Sequence, residues 1–520
     1  MALVLSGTVV PVADHLPDQF AGRVYIGDDG LIDAVKASGT RAPAGYAEAP
    51  VVETDGSIYP GLIDLHSHTA YNTLPLWTEP GRVDPWAHHN SWTSAGSYHE
   101  KVVWPTGVLG YAAGPALLAF IGLKALIGGT TSIQGSVSKP KLRFPWVIRV
   151  VENEAIGSRK DPIRAATLTT TDVSKLKPYV TGMTAGQGFI YHCAEGRPGT
   201  VVTKEFDAVG TALGLRSELI AVHCTALTQQ DFERWSPQAG TIVWSPFSNL
   251  WLYGLTTDVV AADKAGIRIT LGSDWSPSGT KHLLGELKVA DLHNHDTLAD
   301  HFSDRELVEM VTANPGEALS GPWETKAGRL VEGALGDVVV VKRTNASNPW
   351  RNLIDATESD VQLVVVGGKG RYGTTALMGA ARAAPMGAVT INGESRRVSI
   401  PKLDELDTHW SLAAIRKDLN RVRRDPAAAV RQARGEADAW AAAAATIRPG
   451  EMAPPPPLVV VPDVPGDETM VGGLPPDPTT TVIPPLDTLV HDAAFFRRVA
   501  DNPIPQGQLD GLARYYGRGA

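Results

Sequence analysis

Tyr59-Pro-Gly-Leu-Ile-Asp-Leu-His-Ser-His68 is the stretch on which the fold turns. An apolar run this short reads as a strand, and strand side chains alternate, so His66 and His68 point to one side at its C-terminal end. In a parallel barrel that end is the mouth, where such folds build their sites. Outward from it, residues 61–315 alternate short apolar runs with helical stretches. Candidate strands are Leu62 to Leu65, Thr130 to Ile133, Ile163 to Leu168, Phe189 to His192, Leu219 to His223, Ile242 to Trp244 and Ile267 to Leu271. Repeated β-then-α units over about 250 residues predict an α/β fold, a distorted (β/α)8 TIM barrel. Short β-like runs with Gly and Asp-Gly turns fill residues 1–60 and return over 316–372, so both flanks are expected to build one small β-sandwich beside the barrel.

The remainder is of another kind. Residues 373–449 should be mainly helical, with an interruption near Pro426, and 450–485 reads as a Pro-rich linker, extended and unfolded. Residues 486–520 carry Phe495, Phe496, Tyr515 and Tyr516 and read as a docking segment. The 520 residues are 43% hydrophobic and 20% charged, which rules out a disordered chain or a coiled coil. Lys and Arg number 47 against 56 Asp and Glu, a net charge of −9. That balance argues against nucleic acid or an anionic membrane as partner and for a small-molecule substrate. The apolar N-terminus lacks a signal peptide's basic start, and the uncharged Gly107 to Leu123, holding Pro115, reads as a buried helix. Two cysteines, Cys193 and Cys224, make no disulfide framework, and a cytoplasmic location is expected. Each follows a mouth-facing histidine, so both thiols should turn toward the helices and be buried and inert.

A lone His-x-His is weak, and the chain holds a second at His293 and His295. That pair sits in a helical stretch, where residues two apart diverge, and reads as a solvated face. The first pair gains weight from His192, His223 and Asp274, each at the end of an apolar strand where packing favours neither residue. Neutral imidazoles with one carboxylate suit Zn²⁺ or Fe²⁺ and leave a position for water. Glu195, in His192-Cys-Ala-Glu195, is placed to carry a proton.

With Gly129-Thr-Thr, Leu271-Gly-Ser-Asp274, Ala313-Asn-Pro-Gly316 and Gly333-Ala-Leu-Gly-Asp-Val-Val-Val-Val341, these residues resemble the amidohydrolase superfamily from the N-terminus to about Tyr372. Order and spacing are similar to its mononuclear branch, which holds cytosine deaminase, S-adenosylhomocysteine-type deaminases and atrazine chlorohydrolase. The resemblance implies one divalent metal, zinc or iron, on His66, His68, His192 and Asp274. It implies Glu195 as proton shuttle, His223 as partner of the activated water or the oxyanion, and Asp274 as a catalytic residue as well as a ligand. A second metal would need a lysine in the fourth strand; Lys160 precedes that strand and none lies within it.

The segment after His68 holds Tyr71, Trp77, Trp86, Trp92, Tyr98 and Trp104, with His88, His89 and His99 between them. Flat rings over a metal site suggest a cyclic or aromatic substrate. Trp77, Trp86, Trp92, Asn249, Trp275 and Lys281 are the substrate candidates, with Trp244, Trp251, Tyr253, Ser276 and His282 near them. The expected reaction is hydrolysis of a carbon-nitrogen bond other than a peptide bond, an aminohydrolase (deaminase) reaction using metal-activated water. An amide, lactam or chloro-substituent hydrolase is the alternative, and a non-catalytic scaffold the rival of another class. Because every ligand precedes Asn314, the extension is expected to serve assembly of a homo-oligomer, or a lid, and to stay clear of the metal site. Its four aromatic residues would then dock on a second subunit.

Overall fold

A computed structural model describes residues 2–135, 138–139, 147–152, 157–159, 161–167, 170–401, 411–448, 456–464, 475 and 477–517. Lys160, Leu168, residues 403–410 and parts of the Pro-rich stretch (452–455, 465–474 and 476) lie outside the described residues.

Eight parallel strands carry the candidate site: β1 (Leu62–Asp64), β2 (Thr130–Ile133), β3 (Arg149–Val150), β4 (Ile163–Ala166), β5 (Gly188–Cys193), β6 (Leu219–His223), β7 (Thr241–Trp244) and β8 (Arg268–Leu271). They form two arcs, β1-β2-β3 and β4 to β8 in sequence order. A parallel bridge between Ser67 and Asp274 joins the arcs on one side. Among the described residues no ladder joins β3 to β4, so the expected barrel is present as two arcs rather than one closed ring. β3 escapes notice in the sequence because it is only two residues long.

Strands β5 to β7 are buried throughout, as parallel strands covered on both faces must be, and so show no polar alternation. Ile190, Ile220, Val222 and Val243 share an inner core cluster with Ile63 and Trp323. Their neighbours Phe189, Tyr191, Leu219, Ala221, Ile242 and Trp244 face the helices.

Both flanks join one continuous nine-stranded sheet, whose edge strand curls back to bond at Ala334. Its order is Gly387–Ile391, Glu394–Val398, Lys369–Gly373, Val361–Val366, Val338–Val341, Val51–Pro60, Leu3–Val9, Phe20–Ile26 and Ile32–Ala37. The ladder from Val51–Pro60 to Val338–Val341 makes it continuous. Leu5, Val24 and Ile32 from one half share a single core with Val338 and Leu363 from the other. The sheet also runs past Tyr372, through the last two strands before Ser399, into what the sequence assigned to helices.

The apolar helix Trp104–Ile127 is long and apolar enough to cross a membrane by composition, yet most of it is buried inside the structure. Near its end Lys124 is buried and donates to Asp487 Oδ2 at 2.6 Å; Lys281 donates to Asp487 Oδ1 at 2.5 Å. The C-terminal segment therefore supplies the countercharge for two buried ammonium groups, which would be costly to leave alone. It docks on its own chain. Phe495 lies 5.6 Å from Phe247, Tyr515 donates to Asp291, and Tyr516 meets His491. The helices Leu412–Arg424 and Pro426–Ala445 break at Asp425, as Pro426 predicts.

A second anchor is Glu358, whose Oε1 lies 3.1 Å from His282 Nε2 and 2.7 Å from His491 Nδ1. Burial pushes His491 down to about 3 and lowers His282; burial alone would raise Glu358, but the two imidazoles hold it well below the usual carboxylate range. A histidine with a depressed folded pKa stays neutral while its unfolded counterpart takes up a proton below about 6.5, so stability is lost as pH falls from there toward 3. Glu358 acts in the same direction below its ordinary range. Amide protection factors over residues 486–517, referred to the intrinsic exchange rate at each pH, should accordingly fall at pH 5 relative to pH 7 more than those of the nine-stranded sheet; equal protection at both pH values would contradict it.

Candidate active site

The residues of the opening motif are held by Asp64. Its carboxylate accepts from His66 N and Ser273 N, each at 3.2 Å, and from Ser273 Oγ at 2.5 Å, tying the end of β1 to the end of β8. Burial pushes this acid up to about 7. Gly272 permits the closeness: a Cβ there would lie 2.5 Å from that of His66. Asp274 N donates to His66 O at 2.9 Å, so the two ligand-bearing turns meet directly.

His66, His68, His192 and Asp274 converge. His66 Nε2 stands 3.2 Å and His68 Nε2 3.9 Å from Asp274 Oδ1, and the Nε2 atoms of His68 and His192 are 3.1 Å apart. Ligand atoms at about 2.1 Å from a tetrahedral zinc stand roughly 3.4 Å from one another, so this spacing suits one ion. His66 Nε2 and Asp274 Oδ1 are buried without a hydrogen-bond partner, and a cation between them would satisfy both. Burial pushes His66 down to about 4 and His192 well below its usual range, so both imidazoles are neutral; burial would lower His68 too, but Asp463 and Asp274 hold it up at about 9, so a metal on its Nε2 would have to displace a proton. Burial would raise Asp274, but His66, His223 and His68 hold it below the ordinary carboxylate range.

His223 reaches the same point by a different route. Ile220 and Val222 face the inner core, so strict alternation would send residue 223 outward. It has φ +65°, as Cys224 has +58°, Ala194 +53° and Asp274 +57°; these left-handed residues re-aim side chains at the strand ends. Ligand-type atoms of His66, His223 and Asp274, and of His192, Glu195 and His223, lie within 4.8 Å of one another. Asn249 Oδ1 is 2.9 Å from His223 Nδ1, and since the Asn249 amide nitrogen donates to Thr256, that oxygen accepts. His223 Nε2 is thereby left facing the site, 3.8 Å from Glu195 Oε2. Tyr253 donates to Glu195 Oε1 at 2.6 Å and receives Trp92 Nε1 at 2.9 Å.

A cavity of about 50 Å³ opens over these groups, lined by Trp92, Trp275, His89, Asn90 and Thr93 with the ligand residues. Of the substrate candidates, only Trp92 and Trp275 stand in its wall. Trp77 and Trp86 stack on each other, with Arg82 over Trp86, as loop packing. Asn249 serves His223, and Lys281 is spent on Asp487. His89, which the sequence left among the loop residues, is in the wall, its Nε2 3.2 Å from Glu205 Oε1. Cys193 and Cys224 are buried free thiols. His293 and His295 diverge as expected, but only His295 is solvated; His293 is buried against Trp244.

The extension reaches this site, against expectation. Val464 lines the cavity, and Asp463 Oδ1 lies 3.1 Å from His68 Nδ1. No signal in the sequence marks either residue. By contrast His282, Glu358 and His491, which also have ligand character, are paired internally: Gly285 N and Lys281 N donate to the remaining nitrogens of His282 and His491. That cluster is a structural clamp.

No family model matches the chain. A 5-methylthioadenosine/S-adenosylhomocysteine deaminase of Thermococcus sibiricus is 32% identical over 164 residues, 30% of this chain and 38% of that protein. A 5'-deoxyadenosine deaminase of Methanopyrus kandleri is 30% identical over 164 residues, covering 30% and 37%. The chain thus spans little more than a third of the length of these two relatives. A 5-methylthioadenosine/S-adenosylhomocysteine deaminase of Moorella thermoacetica is 24% identical over 411 residues, 71% of this chain and 93% of that one. Among solved structures, a zinc-bound adenosine deaminase from Xanthomonas campestris superimposes with TM-score 0.55 at 17% identity, over 81% of this chain and 98% of that one. A guanine deaminase from C. acetobutylicum with bound guanine gives 0.52 at 16% identity, over 71% and 100%. A zinc complex of atrazine chlorohydrolase from Arthrobacter aurescens gives 0.52 at 16%, over 71% and 94%. The chain shares the mixed α/β fold of these amidohydrolase-type deaminases and hydrolases.

Proposed function

We propose that residues 61–315 form a metal-dependent hydrolase unit, and that the chain is an aminohydrolase acting on an amino-substituted heteroaromatic ring. The observation that carries this is the convergence of ligand-type atoms from His66, His68, His192 and Asp274 beside Glu195, with His66 Nε2 and Asp274 Oδ1 left unpartnered. These four residues would hold a divalent metal, zinc by the donor set, which would make a bound water acidic at neutral pH. Glu195, steadied by Tyr253 through one oxygen, can take one proton from that water and pass it to a ring nitrogen as oxygen adds to the ring carbon; the hydroxyl's second proton then goes to the amine, which leaves as ammonia while the carbon becomes a carbonyl. His223 Nε2 accepts a hydrogen bond from the attacking water and, once protonated, donates to the oxygen where charge develops. Trp92 and Trp275 offer flat apolar walls, and the deaminases to which the chain is similar act, by their names, on adenosine derivatives. An amide or chloride leaving group is the alternative on the same machinery, supported by the likeness to atrazine chlorohydrolase.

Elemental analysis of the purified chain should find one equivalent of metal, because the donor atoms cluster about one point and β4 contains no lysine. Incubation with aminopurines and aminopyrimidines should release ammonia in a metal-dependent manner. Two equivalents with Lys160 modified would overturn the mononuclear reading, and release of only carboxylate or chloride would overturn the deaminase one.

A further inference from the structure

The last part of the candidate site comes from far along the chain. Val459–Val460 pairs with Ser138–Lys139 in a short antiparallel ladder. Beneath it the helix Trp104–Ile127 presents Gly110 and Gly114. A Cβ on Gly110 would lie 2.1 Å from Val460 O, and one on Gly114 would lie 2.3 Å from Leu458 O. Only hydrogen side chains leave room for that backbone, so the helix carries a groove shaped for this segment. Beyond the groove Thr167 Oγ1 donates to Asp463 O at 2.7 Å, and Val464 N donates to Tyr71 at 3.4 Å. These contacts fix Asp463 with its carboxylate 3.1 Å from His68 Nδ1, while His68 Nε2 faces His192 and Asp274.

A ligating imidazole is oriented by what its second nitrogen touches, and a carboxylate there fixes the tautomer and raises the ring's basicity. We propose that Asp463 is a positioning residue for His68: its Oδ1 and His68 Nδ1 stand at ion-pair distance, each with no other hydrogen-bond partner, so the carboxylate would take the Nδ1 proton and leave the Nε2 lone pair pointing to the metal position. The C-terminal extension is then part of the metal site, completing it from the side that Val464 walls. This rests on the metal-hydrolase reading given above.

The test uses the full chain, stripped of metal and titrated with Zn²⁺ against a chelating indicator at one fixed pH. Asp463→Ala should bind zinc about 10- to 100-fold more weakly than the unaltered protein. Asp463→Asn, of equal size, should keep residues 456–464 protected from amide exchange and still bind at least about tenfold more weakly, with Asp463→Glu recovering much of the loss. A merely structural role would leave zinc affinity untouched in Asp463→Asn while the segment stays docked. Zinc affinity equal to that of the unaltered protein in both Asp463→Ala and Asp463→Asn would overturn the assignment. Failure of the unaltered chain to bind zinc at all would instead overturn the hydrolase reading on which it rests.

Discussion

Replacement of His192 by alanine is expected to empty the metal site and abolish turnover together. His192 is buried at the end of β5, with Nε2 3.1 Å from that of His68. Without it His66, His68 and Asp274 remain, three donors on one side of the site, and affinity for a tetrahedral ion falls steeply. The metal's contribution to such a reaction is several kcal/mol, so turnover should drop by about 10³-fold or more. Zinc content should fall from one equivalent toward zero while the far-ultraviolet circular dichroism is retained, since Ile190 and Tyr191 still hold the strand on both faces. A His192→Ala protein that keeps a full equivalent of zinc would remove His192 from the ligand set.

Much of this arrangement is local in the chain and for that reason legible. Short buried strands followed by polar residues announce themselves, and β2 and β6 fall where the apolar runs place them, at Thr130–Ile133 and Leu219–His223. Four residues that end or follow such strands are brought together as the motif order implies. What alternation alone does not give is the direction of His223, which depends on a left-handed backbone that nothing in Val-His-Cys-Thr signals. The two-residue β3 leaves no periodicity to read.

The extension was misread for a related reason. Its Pro-rich composition describes a backbone without a core of its own, and it says nothing about a core supplied by another part of the chain. Lys124 and Lys281 carry the missing information: two cations in apolar surroundings require a carboxylate, and the sequence does not say that it is Asp487, more than 200 residues beyond Lys281. Gly110 and Gly114 are equally informative afterwards and equally silent before, since glycines four apart in a helix tell of close approach without naming what approaches. The tryptophan-rich segment erred in the opposite direction. Its composition suggested a substrate platform, yet Trp77 and Trp86 are consumed in packing the loop that brings Trp92 and His89 to the cavity.

Glu195→Gln separates the chemistry from the metal. The amide has the size of the carboxyl group and its oxygen still accepts the Tyr253 hydroxyl that now lies 2.6 Å from Glu195 Oε1, so the side chain keeps its place. Glu195 belongs to one ligand-type triad with His192 and His223, but the other four donors are complete without it, so zinc should remain at one equivalent. An amide cannot relay a proton from water to a leaving nitrogen, and turnover should fall by about 10² to 10⁴. The loss should appear in kcat with little change in KM, because the group acts on protons in flight more than on the bound ring. Its partial rescue by a substrate with a better leaving group, which needs less protonation on departure, would be the signature of a general acid. If zinc left with the substitution, Glu195 would be a ligand; if turnover stayed near normal, the proton would have to travel through His223 or Asp274, the two other ionisable groups that meet at the same point.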